Sequence, residues 1–340
     1  MVFFKKIKMA INITTIGGGA GTFNVLYGLK KNRNYNISAV ISVADSGGTA
    51  GAIRDQFGIL PPGDMRRSIA ALAKNTEMVR KLFEYKFDED GVIGGNKIGN
   101  ILLTALTDIT GDFEAAINTL SDMFDVRGRV IPVTLEDIHL GVRFEDGTEV
   151  IGEKNIDVSE TNPGERTHDL DQNIVDAWLV GNEGNLNPRA REAISNADYI
   201  IIGPGDLYTS IVPNLLCRGM QEALHASPAK IIYIVNAMTK RGETTNMEVI
   251  DFVDTIEKHI HPGLLSHVIV NNGMIDESIV SRYKREENKR PLKIKDHSVF
   301  DKKGYKVIER DLVHDSGDYV RHDPERLIIA IEDIIQGWVK

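Results

Sequence analysis

The segment ITTIGGGAGTFN, residues 13–24, carries the first residues that could do chemistry. A β-branched run meets Gly17, Gly18, Gly19 and Gly21. It leaves through Thr22 into a helical apolar repeat at Phe23, Leu26, Tyr27 and Lys30. Glycines let a backbone turn sharply and let a ligand approach with no Cβ in the way. A helix starting there aims unpaired N–H groups and a partial positive charge at an anion. The loop departs from the dinucleotide fingerprint, because its sixth place is Thr22 and Gly21 comes one position early. No Gly-Lys-Ser/Thr follows, so it is not a Walker A loop. An anion site is expected, against the plainer alternative of a tight strand–helix turn.

Further loops of the same kind follow. SVADSGGTAGAIRD, 42–55, places Asp45 near where a dinucleotide fold puts its ribose-binding acid, though later than the usual spacing. Asp45 is expected to touch a sugar or a metal, or else to cap a helix. Gly47 and Gly48 let that loop wrap a ligand. In ILPPGDMRRSIAAL, Asp64 is placed to cap a helix beginning at Met65. Arg66 and Arg67 sit in that helix's first turn, where a cation opposes the dipole, so at least one should meet an anion. GVIGGNKIGN, 91–100, offers Asn96, Lys97 and Asn100 over another glycine turn. DYIIIGPGDLYTS, 198–210, runs a strand into Gly203 and Gly205, with Asp206, Tyr208, Thr209 and Ser210 crowding a helix start. IIYIVNAMT puts Asn236 at the end of a further strand. Loops that end successive strands are where open α/β sheets bind ligands.

The elements that must hold these loops alternate. Strands are expected near 11–16, 37–44, 129–134, 198–202, 230–236 and 267–271. Helices are expected at 22–31, 65–74, 98–108, 112–122, 188–196, 214–226 and 246–259. The fold class is α/β: a Rossmann-like doubly wound, mainly parallel sheet with helices on both faces. GVRFEDGTEVIGE, 141–153, breaks the rhythm as a small inserted β-hairpin turning at Asp146-Gly147. The polar stretch 154–172, with Asn162, Pro163 and Gly164, reads as a loop or small subdomain. Residues 1–10 form an N-terminal extension, and 11–340 one domain with its insertion at about 141–172. The charged run 281–296 is either a solvated face, the expected reading, or a flap that attracts phosphate.

The 340-residue chain carries 40 Lys+Arg and 49 Asp+Glu, a net charge of −9, which disfavours a nucleic-acid-binding surface. Its apolar runs are too short to span a membrane. The single cysteine, Cys217, excludes an intrachain disulfide and fits a cytoplasmic protein. It lies on an apolar helix face as an inert thiol.

Taken together, IGGGAGTFNVLYGLK, VADSGGTAGAIRDQFGILPPGDMRRSIAALA, GNILLTALTDITGDFEAAI, IIIGPGDLYTSIVPNLL and VNAMTKRGETTN resemble the YvcK group. This is the gluconeogenesis-factor branch of the CofD-like (UPF0052) superfamily, and the resemblance runs from about residue 11 to VRHDPERL at 320–327. It implies a nucleotide-sugar ligand, UDP-N-acetylglucosamine, and a role in gluconeogenic growth and cell shape with no established reaction. The sister branch resembles 2-phospho-L-lactate transferase, which uses a guanosine diphosphate donor, Mg²⁺ and a deazaflavin acceptor. Three positions depart from the family pattern: Ser46 replaces an acid, Asn96 a histidine and Asp206 a serine. Arg321 matches the arginine of an Arg-His-Asp signature and suits a diphosphate.

Two functions compete. A regulatory nucleotide-sugar binder needs the glycine loops, an arginine and a base or ribose contact. A CofD-like phosphotransferase needs in addition a metal held by carboxylates, for which Asp45, Asp64 and Asp206 could serve with Mg²⁺. NAD remains a further diphosphate-bearing ligand. The expected partners are a small-molecule nucleotide, a protein of cell-wall metabolism and further copies of the chain.

Overall fold

The computed structural model describes residues 10–86, 95–158, 167–316 and 319–338. Residues 91–94 of the third glycine cluster, and the Asn162-Pro163-Gly164 loop, lie outside them. The first half runs β1 (Ile11–Gly17), α1 (Gly19–Leu29), β2 (Tyr35–Ile41), α2 (Gly48–Phe57), α3 (Gly63–Leu72), α4 (Thr76–Glu84), α5 (Ile98–Thr110), α6 (Phe113–Met123) and β3 (Arg129–Pro132). An insert follows: β4 (Ile138–Phe144), β5 (Glu149–Ile151), α7 (Glu153–Ile156) and β6 (Ile174–Gly181). The second half runs α8 (Pro188–Ser195), β7 (Tyr199–Ile202), α9 (Val212–Leu215), α10 (Met220–Ala226), β8 (Lys230–Ile234), α11 (Val249–Ile260), β9 (Leu265–Asn271), α12 (Glu277–Glu287) and β10 (Lys306–Arg310). The hairpin β11 (Val313–Ser316) and β12 (Tyr319–His322) leads into α13 (Pro324–Ile335).

Seven strands form one parallel sheet in the order β10-β9-β8-β7-β1-β2-β3. Strands such as YIII and KIIYI are apolar on both faces because helices surround the sheet. Ile200, Ile201, Ile202, Ile232 and Ile234 are fully buried. The chain steps outward from β1 to β2 and β3, then returns to pair β7 on the other side of β1. The strand order therefore reverses between β1 and β7, and a crevice opens there at the carboxyl ends.

Several elements differ from the sequence expectation. The insert is a three-stranded antiparallel sheet, β5-β4-β6, reaching Gly181 rather than a hairpin alone. The single helix expected at 214–226 is a π turn at Leu207–Ile211, then α9 and α10, separated at Gly219, which takes φ +91°. The sheet gains β10 as an edge strand, whose sequence KVIER buries only Ile308. The charged helices α4 and α12 each bury two side chains, Val79 and Phe83 in one and Ile279 and Tyr283 in the other.

Candidate functional site

The glycine loop after β1 and the Gly203-Pro204-Gly205 turn after β7 lie against each other in the crevice. The Gly203 N–H donates to the Ile16 carbonyl at 3.0 Å. A Cβ on Gly21 would stand 2.3 Å from the Pro204 carbonyl oxygen, so only glycine permits this approach. Gly19 takes φ +67°, the left-handed region, as α1 begins. Asn214 on α9 donates to the carbonyls of Gly17, 3.3 Å away, and Ser210, 2.8 Å away. The Thr22 hydroxyl is buried without a hydrogen-bond partner among the described residues.

Asp64 does not cap α3. The helix begins at Gly63 after Pro62, which puts Asp64 inside the first turn. Its carboxylate reaches back to the glycine loop and accepts the Gly19 N–H at 2.9 Å. Its other oxygen takes a hydrogen bond from Arg67 at 3.0 Å. One amide expected to face a phosphate is thus already paired, leaving the neighbouring first-turn amides of Ala20 and Gly21 to offer theirs. Arg66 meets an anion, as expected, but a protein one. Buried Arg66 donates to Glu84 at 2.6 Å and to Asn100 at 2.7 Å, which ties α3 to α4 and α5. Burial opposes ionisation of Glu84, yet hydrogen bonds from Arg66 and Lys97 hold its carboxyl down at about 2.

A cleft of about 290 Å³ opens beside these loops. Gly19, Gly21, Gly205, Asp206, Ser210, Asn236 and Arg321 line it, as do Asn24, Lys240, Tyr283, Lys289 and His322, which sequence reasoning did not select. Arg321 and His322 are delivered by β12. The chain then enters α13 through Asp323, whose carboxylate accepts the N–H groups of Glu325 and Arg326, with Pro324 in the first turn. The His322 carbonyl accepts from the Asn24 side chain at 2.8 Å. Burial pushes the His322 imidazole down to about 4, so it is neutral. Neither His322 Nε2 nor Asn236 Oδ1 has a hydrogen-bond partner among the described residues. Of the charged run, Tyr283 and Lys289 face the cleft while most of the α12 surface is solvated.

Two carboxylate groups adjoin the glycine loops. In the first, the Asp45 carboxylate accepts the Gly47 N–H at 2.9 Å in the turn before α2. A Cβ on Gly63 would lie 2.4 Å from its other oxygen. Burial and the negative charge of Asp64 push Asp45 up to about 6. Glu153, from the insert, stands beside it and accepts the Ser46 N–H at 3.3 Å. Burial, then Asp45 and Asp157, raise Glu153 to about 8. An acid therefore accompanies Asp45 although Ser46 has replaced the expected one. In the second group Lys240 Nζ lies 2.8 Å from Asp157, 2.8 Å from Asp206 and 2.7 Å from Glu243. Burial opposes the lysine's charge, but the three acids outweigh it and hold its pKa well above the usual value. Burial also lifts Glu243 to about 7.

Oxygen donors at Asp45 and Asp64 suit Mg²⁺, and their mutual repulsion favours a cation between them. The second group does not suit one, because the Lys240 ammonium already sits among its oxygens. Asp206, the residue that departs from the family pattern, belongs to that lysine. Tyr208 turns its hydroxyl to the Ile174 carbonyl at 3.0 Å and supports the insert. Gly48 opens α2 behind Gly47. Cys217 is buried, and burial pushes its thiol up to about 12.

These features define an α/β protein whose strand-end crevice lies at the topological switch point. The chain belongs to the CofD family: the family model described as 2-phospho-L-lactate transferase CofD matches residues 13–313. A relative from Aquifex aeolicus (strain VF5) is 39% identical over 330 residues, covering 96% of this chain and 97% of its own. The gluconeogenesis factor of Bacillus subtilis (strain 168) is 35% identical over 332 residues, covering 98% of this chain and 99% of its own. A crystal structure of a UPF0052 family member from Bacillus halodurans superposes with a TM-score of 0.85 at 34% identity, covering 94% of this chain and 99% of that one. The sequence resemblance to the YvcK-like branch of the CofD-like superfamily and the expected fold class both hold. No helix among the described residues is long and apolar enough to cross a membrane.

Proposed function

We propose that the chain is a regulatory protein that binds a nucleotide sugar of the UDP-N-acetylglucosamine kind in the cleft between β1 and β7. One observation carries this reading. The cleft wall combines a glycine-walled helix start with the cationic side chains of Arg321 and Lys289, in a chain of net charge −9. First-turn N–H groups of a helix and cationic side chains on one wall suit an anionic ligand such as a diphosphate. Diphosphate oxygens would lie toward the N–H groups of Ala20 and Gly21, with Arg321 and Lys289 supplying positive charge. Relatives named gluconeogenesis factor support a regulatory role in carbon metabolism. A role in cell shape rests on the sequence resemblance alone.

The Asp45–Asp64 pair favours a second reading, a CofD-like phosphotransferase. Mg²⁺ held there would neutralise phosphate charge. Arg67 balances Asp64, and the Gly19 contact keeps that carboxylate aimed at the loop.

The test is a thermal-shift panel of UDP-N-acetylglucosamine, GDP and NAD, with and without Mg²⁺, followed by product analysis. Stabilisation of about 2.7 kcal/mol at 100 times the dissociation constant, by UDP-sugars and without turnover, supports the first reading. Absence of any UDP-sugar effect at millimolar concentration rejects it. Transfer from a guanosine diphosphate-linked lactate to a deazaflavin establishes the second.

A further inference from the structure

The opposite edge of the sheet, at the amino ends of β1 and β2 and the start of β3, holds a larger open cavity of about 670 Å³. Three arginines line it: Arg33, Arg127 and Arg129. In a chain of net charge −9, none of the three forms an ion pair among the described residues. Two of them are held in place by uncharged groups. Arg127 donates to the carbonyls of Lys30 at 2.7 Å and Asn32 at 3.3 Å, and Arg129 donates to the Ser38 hydroxyl at 3.2 Å. Nearby carboxylates are engaged elsewhere: Glu332 accepts from Asn32 and Tyr35, and Asp198 accepts from the Asn12 N–H. Amides of Asn12 and Asn36, 3.0 Å apart, add neutral hydrogen-bonding groups to the wall.

We propose that this cavity is a second ligand site, which takes a small polyanion bearing phosphate groups. Its volume is that of a small-molecule pocket. Guanidinium forks match phosphate oxygens and are weakly hydrated, so three of them without counter-charges, two of them anchored, form an anion receptor. The site is distinct from the glycine-loop cleft, since β1 and β2 span the sheet between them. At about 3.3 Å per residue, the seven residues of β1 put the two roughly 20 Å apart. The proposal stands whether or not the cleft binds a nucleotide sugar.

The test is a titration of the isotope-labelled full chain with inorganic triphosphate in 150 mM KCl, followed by amide resonances. Gly128 and Asn36 report on this cavity, while Gly19 and Gly21 report on the cleft. The expected result is a saturable shift at Gly128 and Asn36. The double variant Arg33→Ser/Arg129→Ser should weaken it by roughly tenfold or more, leaving the Gly19 and Gly21 response and the melting temperature unchanged. Both arginines are exposed, so the fold does not depend on them. Arg127, which ties down two carbonyls, is kept. Shifts confined to Gly19 and Gly21, shifts that never saturate, or an unchanged midpoint in the double variant would each overturn the proposal.

Discussion

The carboxyl edge of the sheet has two unlike halves. Around the Gly17–Gly21 and Gly203–Gly205 turns, backbone lies against backbone, and Asn236 Oδ1 and His322 Nε2 have no hydrogen-bond partner among the described residues. Around Asp45, Glu153 and Lys240, burial and then the neighbouring charged side chains shift protonation. The first half is built from close backbone packing with few charges. The second is largely self-neutralised, above all by one lysine shared among three acids. Steric need fixes the glycine half, while charge balance fixes the acidic half. Substitutions should therefore fail in different ways on the two sides.

The largest effect belongs to Lys240→Met. It leaves Asp157, Asp206 and Glu243 without their cation, and should cost about 3 kcal/mol in urea unfolding at pH 8. Loss should shrink at pH 5, where Glu243, ordinarily lifted to about 7, takes up a proton. An equal loss at both pH values would remove charge balance as the cause. Next comes Gly21→Val, whose Cβ meets the Pro204 carbonyl. Overpacking of this kind should lower stability by about 2 kcal/mol and abolish UDP-sugar binding together. A variant of wild-type stability that still binds would show that the close approach is dispensable.

Arg321→Ala should separate binding from folding. Calorimetry should find UDP-N-acetylglucosamine affinity reduced by about tenfold, with little change in melting temperature. Unchanged affinity rejects the assignment of Arg321. The smallest effect is that of Glu153→Gln in metal-free buffer. Glu153 is raised from its ordinary 4.5 to about 8, so the native state binds the extra proton between these values. Stability then falls as pH rises from about 4.5 to about 8. The variant should remove that slope and gain on the order of 1 kcal/mol at pH 8.5, with no gain at pH 4. A gain independent of pH would point to packing instead.

The contrast also explains what the sequence disclosed. Buried strands such as YIII are apolar throughout, and glycine turns mark themselves by composition, so the parallel sheet and the β1 and β7 loops were legible. Asp64 was misread as a cap because its partner, Gly19, lies 45 residues earlier, and no local pattern signals such a contact. Glu153 arrives from an insert whose third strand carries little alternation. Lys240 sits within a motif that was recognised together with Glu243, but its other two acids, Asp157 and Asp206, come from separate segments. α13 was missed although Asp323-Pro324-Glu325 is a helix-start signal, and that cap is what sets Arg321 at the cleft.

The central claim is that a nucleotide diphosphate settles where β1 and β7 part. A crystal structure of the chain soaked with UDP-N-acetylglucosamine tests it most directly. The account predicts diphosphate oxygens within hydrogen-bonding distance of the Ala20 and Gly21 amides, with Arg321 beside them. A nucleotide bound at any other surface, with that crevice left to solvent, would contradict it.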